Sequence, residues 1–188
     1  MSNVLTPNFR ASYPKVFKAE LNSLSGKQEY SVVALFKKGE DLSPLKKAAE
    51  AILVEKLGAD KAKWPKNLRI PFRDQADKMK DGQLPAGHEE GAIFMNLKSQ
   101  QKPGVVNQNV EAIIDETEFY AGCVCRATVR AYYYDQKGNR GIAFGLQNLQ
   151  KVADGEPLGA SRVSATNEFA PVETADAEGE SDSGSMWS

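Results

Sequence analysis

Sorting the residues from Tyr120 to Gln150 by parity separates two unlike surfaces, and that separation predicts a long β-hairpin. Successive side chains of a strand point to opposite faces. Cys123, Cys125, Ala127, Val129 and Ala131 make one face small and apolar. Val124, Arg126, Thr128, Arg130, Tyr132 and Tyr134 make the other, which mixes guanidinium groups with phenol rings. The first face suits the inside of a small, tightly curved barrel, where side-chain volume is limited. The turn falls between Asp135 and Asn139, with Gly138 available for a positive φ. On the return strand Ile142, Phe144 and Leu146 alternate with Gly141, Ala143 and Gly145. Those small residues permit a sharp bend or a close approach to the backbone.

The rest of the chain supplies shorter elements. Residues 1–9 read as a loose arm, 10–162 as the folded domain and 163–188 as an acidic, disordered tail. From Arg10 to Glu20 the alternation puts Tyr13, Lys15 and Phe17 on one face, and Pro14 places this strand at an edge or beside a bulge. Glu29 to Lys37 is apolar on both faces, which predicts a strand covered on both sides, with Phe36 at its basic end placed either to pack in the core or to stack on a base. A helix follows, with Ser43 as N-cap, Pro44 at its first position and Gly58 as its stop. Leu45, Ala48, Ala49, Ile52, Leu53 and Leu57 form its buried stripe. Residues 61–92 read as a long basic excursion, with short helical turns at most. There Lys63 beside Trp64, and Phe72 beside Arg73, pair rings with cations, either to meet a ligand or to anchor the loop. Ala92 to Ser99 is a strand, Lys102-Pro103-Gly104 a turn, and Val105 to Ile114 holds another short strand.

Charge sharpens this picture. All 24 Lys and Arg lie between Arg10 and Arg162 with 19 of the 25 acids, so a body of +5 hides behind the net charge of −1. The six remaining acids are Glu168, Glu173, Asp176, Glu178, Glu180 and Asp182, and the chain closes near an apolar pair, Met186-Trp187. A basic body with an acidic tail fits a nucleic-acid binder that carries its own competitor or a docking tail. Cations for phosphates and flat rings for bases are what a single nucleic-acid strand requires. On this reading Arg126, Arg130, Lys15, Lys137 and Arg140 neutralise phosphates, while Tyr13, Phe17, Tyr132 and Tyr134 stack bases. Lys63 and Trp64 stand in second rank. Glu173, Asp176, Glu178, Glu180, Asp182 and Trp187 would serve a partner or the chain itself as a regulatory tail.

Other chemistry finds little footing. Two cysteines with the single His88 fall short of a zinc site, and Asp115, Glu116 and Glu118 read as a solvated acidic cluster. No Gly-rich loop has phosphate-cradling spacing, and no Ser or Cys pairs with His88 in a recognisable pattern. No apolar run approaches the length of a membrane span. The expectation is a protein without catalysis, cofactor or metal.

Several motifs together resemble the phage-encoded single-stranded-DNA-binding proteins with an OB fold. They are Ser12-Tyr13-Pro14, Lys102-Pro103-Gly104-Val105-Val106, Tyr120-Ala121-Gly122, the run from Gly138 to Leu146 with Asn148 and Gln150, and Asp154-Gly155-Glu156-Pro157-Leu158-Gly159. The likeness covers Arg10 to Phe169 in order; Ala160 stands where that family tends to have a second glycine, and Ala121 where a serine is common. It implies a mainly β protein: an OB-like five-stranded barrel with one main helix, a long basic loop insertion and a disordered acidic tail. It also implies sequence-independent binding of single-stranded DNA in phage replication or recombination, in the cytoplasm of the infected host. The tail would act on the DNA groove or on phage or host replication proteins. The alternative is a protein-interaction module of a replication or recombination complex, with incidental DNA affinity.

Overall fold

Cys123, Cys125, Ala127, Val129 and Ala131 are each no more than 5% exposed, so the face expected to be interior is interior. Both cysteines are free thiols. The computed structural model describes residues 3–158 and 169–172. In chain order the elements are β1 (Val4–Leu5), β2 (Phe9–Asn22), β3 (Lys27–Leu35), α1 (Ser43–Leu57), β4 (Arg73–Asp74), β5 (Ile93–Ser99), β6 (Gly104–Val106), β7 (Val124–Gln136) and β8 (Asn139–Ala153). Short 3₁₀ turns occupy Lys61–Lys63, Gln75–Lys78 and Glu116–Glu118. The described residues are mainly β with one α-helix.

β7 and β8 pair antiparallel down to Gln136 opposite Asn139. The two-residue turn between them, Lys137-Gly138, has φ of 53° and 85°, the doubly positive geometry that matches strand twist in a tight hairpin. β2 pairs antiparallel with β3, and β3 with β5. β5 runs parallel to β8, and Phe9 and Arg10 of β2 pair with Cys125 and Val124 of β7. Inward residues of these strands, such as Val16, Val32, Ala34, Met95, Leu97 and Phe144, fill one core. Of the two placements open to Phe36, the core is the one it takes, its ring edge-on to Phe9 with centroids 5.7 Å apart.

Leu45, Ala49 and Ile52 of α1 close one side of that core. The helix stop is as expected, with Gly58 at φ 90° donating its N–H to Val54 O. The start is not. Ser43 does not cap the helix; the Asp41 carboxylate accepts from the Ser43 N–H (3.0 Å) and hydroxyl (2.5 Å). These bonds hold the Asp41 carboxyl below its ordinary range, the hydroxyl contributing most.

The supposed loose arm is also corrected. Val4 and Leu5 pair with Val129 and Thr128, Thr6 N–H donates to Ala127 O (2.8 Å), and Ala127 N–H donates to Thr6 Oγ1 (2.9 Å). A two-residue strand is too short to show periodicity, yet it satisfies backbone groups at the edge of β7 that would otherwise lack partners. The long excursion is pinned by Gln75, only 1% exposed. Its Nε2 donates to Phe36 O (2.8 Å) and Ile93 O (2.9 Å), and its Oε1 accepts from Glu89 N–H (2.7 Å). Four satisfied bonds, counting Gln75 N–H to Ala92 O, turn a polar side chain into the buried peg of the loop.

The segment after β8 is strapped back onto the start of β7. Gly122 has φ 110°, and a β-carbon there would fall 2.1 Å from Glu156 O. Tyr120 Oη donates to Asp154 Oδ1 (3.0 Å) and accepts from Gly155 N–H (3.1 Å), while Arg10 donates to Glu156 O. Leu158 N–H donates to Ala121 O at 2.9 Å. The expected acidic tail lies outside the described residues, apart from Phe169–Val172, which are exposed and irregular.

Candidate nucleic-acid interface

The outward rows of the sheet run across strand boundaries, and register decides what shares a face. Lys15 lies opposite Ser31, Ser31 opposite Lys98, and Lys98 beside Gly145. On β7 the neighbouring row is held by Tyr132, opposite Ala143, followed by Tyr134 opposite Gly141. A ring carbon of Tyr132 lies 3.8 Å from where a β-carbon would sit on Gly145, so a small residue there lets the phenol lie across β8. Burial raises the Tyr132 phenol above its ordinary range, and Glu29 and Tyr134 push it the same way, so it stays neutral at physiological pH.

Lys98, Tyr132 and Tyr134 line an open cleft of about 700 Å³. Tyr132 and Tyr134 come from β7, Asn96 and Lys98 from β5, and Ala143 from β8. One wall is the excursion at Arg69 to Arg73, and Leu24, at the tip of the β2–β3 hairpin and 94% exposed, reaches over the cleft. The wall is fastened to β8 by Arg69 N–H to Arg140 O (2.9 Å) and Ile142 N–H to Arg69 O (3.1 Å). Gly141 makes that junction possible, because a β-carbon would meet Arg69 O at 2.5 Å. The close approach that the glycines of β8 permit is thus made by the chain itself.

Of the residues singled out from the sequence, Tyr132 and Tyr134 enter the cleft, Lys15 shares its outward row, and exposed Lys137 forms the hairpin tip beside it. The others are dispersed. Arg126 lies six residues before Tyr132, about 20 Å along an extended strand, and its Nε donates to Gln150 Oε1 (2.9 Å). Arg130 turns to Asn3 Oδ1, with Nη2 at 3.0 Å, and sits against α1. Lys15 pairs with Glu20 at 2.5 Å, and Arg140 with Asp135 at 3.2 Å. The last two are solvent-facing ion pairs of little individual worth.

The face expected for Tyr13, Lys15 and Phe17 is broken. Tyr13 has φ 45° and the β2–β3 register shifts on both sides of Lys15, so Tyr13 stands 72% exposed while Phe17 packs edge-on against Phe119 with centroids 6.5 Å apart. Phe72, too, is spent on packing, its ring 6.0 Å from Phe144. Trp64 lies against α1, its indole N–H donating to Gly58 O (2.8 Å), with exposed Lys63 beside it. Asp115 caps its own 3₁₀ turn through Thr117 N–H (2.9 Å) and hydroxyl (2.6 Å). Among the described residues no group of three His, Cys, Asp or Glu is placed to hold a metal ion. Among those residues, likewise, no helix is long and apolar enough to cross a membrane.

Sequence reasoning passed over Arg69, Lys98, Asn96, Ile70 and Leu24, all of which line the cleft. A signal existed for two of them: in AIFMNLKS, Asn96 and Lys98 alternate with the inward Met95 and Leu97. Arg73, paired with Phe72 in the sequence reading, does line the cleft, but its guanidinium lies over a different ring, 5.2 Å from the centroid of Phe94.

The sequence matches the family described as Enterobacter phage Enc34, ssDNA-binding protein, over residues 2–181. It is 25% identical over 180 residues to putative protein p50 of Acyrthosiphon pisum secondary endosymbiont phage 1, covering 91% of this chain and 94% of that one. The fold is similar to the single-stranded DNA-binding protein from bacteriophage Enc34 in complex with ssDNA, with a TM-score of 0.64 at 20% identity over 84% of this chain and 89% of that one. It is also similar to gp2.5, a single-stranded DNA binding protein encoded by bacteriophage T7, with a TM-score of 0.54 at 15% identity over 90% and 99% of the two chains.

Proposed function

Because the chain belongs to the Enterobacter phage Enc34 ssDNA-binding protein family, we propose that it coats single-stranded DNA without regard to sequence and without chemistry. The setting is phage replication and recombination in the host cytoplasm. The observation that carries the reading is the cleft itself. Two phenols lie on an outward sheet face beside Lys98, Arg69 and Arg73, so stacking surfaces and phosphate partners line one channel.

The strand pairings support an OB barrel as its scaffold. The path β7-β2-β3-β5-β8 returns to β7, which makes a ring of five strands with β1, β4 and β6 as additions. On that reading the β2–β3 and β7–β8 hairpin tips flank the binding face. Tyr132 and Tyr134 stack bases; Lys98, Arg69, Arg73 and Lys137 take phosphates first. Lys15 and Arg140, whose exposed ion pairs yield to phosphate at small cost, join where the strand runs past them, as do Arg130 and Arg126, which are held only by the neutral side chains of Asn3 and Gln150. Tyr13 offers a further ring at the β2 bulge. The acids from Glu173 to Asp182 compete with DNA for the same cations, and Met186 and Trp187 meet replication partners.

A gel shift with single- and double-stranded DNA of equal length tests this directly. Retardation of the single strand at lower protein concentration is expected. No shift of either would leave the protein-interaction module, and magnesium-dependent cleavage in the same lanes would show a nuclease instead.

A further inference from the structure

On the far side of the Arg69–Phe72 wall lies a second cavity, about 400 Å³, that the cleft does not include. Its lining is almost wholly apolar: Leu53 of α1, Trp64, Leu68, Phe72 and Ile142. The two spaces share Arg69, Ile70, Pro71 and Ile142, so they are neighbours across one strand-width of chain. Ile70, 64% exposed, stands on the divide. The cavity's rim carries Lys46, Lys61 and Arg69 against the single carboxylate of Glu50, which Lys61 approaches to 2.5 Å.

Trp64 is the informative residue. Its indole N–H is already spent on Gly58 O, so the ring offers its faces rather than a donor. Lys61 Nζ hovers 5.9 Å from the ring centroid. An aromatic face with cations around it, reached from a channel for a polyanion, has the makeup of a stacking platform and not of a sugar or metal site. A cavity of this volume falls in the range that accepts small planar ligands.

We propose that the cavity beside α1 is an additional base-binding subsite. On leaving the cleft, single-stranded DNA would cross Ile70 and lodge a base against Trp64, with its flanking phosphates on Arg69 and Lys46. This inference rests on the cleft being the primary DNA site. It extends the footprint from the sheet face onto the helix, so it predicts a dependence on oligonucleotide length.

Trp64 and Trp187 are the chain's two tryptophans, so W187F leaves Trp64 as the reporter. Oligo(dT) of about 5 nucleotides fills only the cleft, whereas about 16 nucleotides, the upper end of an OB-fold site, reaches α1. Saturation with the longer oligonucleotide should quench Trp64 emission, and saturation with the shorter should not. In the otherwise natural chain, Trp64→Ala should weaken binding of the longer strand roughly tenfold, the loss of one stacked base, and leave the shorter unchanged. Trp64→Phe should retain most of the longer strand's affinity, which separates stacking from a loss of packing at α1. Normal binding of the long strand with unaltered Trp64 emission would overturn the subsite while leaving the cleft intact. So would equal quenching by the short strand, or an emission change produced only by a peptide of residues 173–188. Absence of DNA binding by every oligonucleotide would overturn both the subsite and the function it rests on.

Discussion

Tyr132 and Tyr134 stand where a strand surface needs flat, rigid area, and each phenol is held by what lies beneath it. Gly145 leaves room under Tyr132, and the Tyr134 hydroxyl lies 2.8 Å from where a β-carbon would sit on Gly141. Neither ring is part of the core, since Tyr132 is 44% exposed and Tyr134 half-buried. Stacking a base on such a ring is worth about 1–3 kcal/mol by truncation. Replacing both tyrosines with alanine should therefore weaken oligo(dT) binding by at least tenfold, as read by fluorescence anisotropy, while the melting temperature holds. Normal affinity in the double variant would remove the cleft from the DNA path. Arg126→Ala alone should have a much smaller effect, because that guanidinium sits on Gln150 far along the strand.

At the scale of elements, two of the family-like motifs, Tyr120-Ala121-Gly122 and the run from Asp154, act on one another. Tyr120, Gly122, Gly155 and Glu156 form a strap that ties the end of β8 to the start of β7. Lys151 reinforces it, with Nζ 2.7 Å from Asp154 and 5.2 Å from the Tyr120 ring centroid. The Lys151 bond, then the Tyr120 bond, hold the Asp154 carboxyl below its ordinary range. Gly122→Ala should lower stability by about 2 kcal/mol or more, through both positive φ and the clash with Glu156 O, as read by chemical denaturation. DNA affinity measured well below the melting point should not change. What was legible in the sequence was local. The two faces of β7, the Lys137-Gly138 turn and the extent of α1 each follow from spacing within one segment. Three things were not legible because they depend on partners distant in the chain: the two-residue β1, the bulge that separates Tyr13 from Phe17, and a cleft wall made by seating Arg69 on Gly141. Gln75 shows the same limit, since nothing in its neighbourhood announces a buried peg for Phe36 and Ile93.

For the molecule as a whole, the division of charge matters most. The +5 body and the acidic stretch after Arg162 are opposed on one chain. The strap holds the chain as far as Leu158 against the start of β7, and the 30 residues that follow it in sequence could span at most about 100 Å. The proposed competition of these acids with phosphates would act through simple Coulomb attraction, which salt screens. Deleting Glu173 to Ser188 should therefore raise affinity for single-stranded DNA, most at low ionic strength. Affinity unchanged by the deletion would assign the tail, with Met186 and Trp187, to docking a partner instead.

The central claim is that a single polynucleotide strand lies in the cleft between Tyr132, Tyr134 and the cations of β5 and the excursion. Its most direct test is the equilibrium affinity of the full chain for oligo(dT) across a series of salt concentrations. If Lys98, Arg69, Arg73 and Lys137 each neutralise a phosphate, log affinity should fall against log salt with a slope of about −3, from about 0.7 per phosphate. An affinity that stays flat across the series would contradict it.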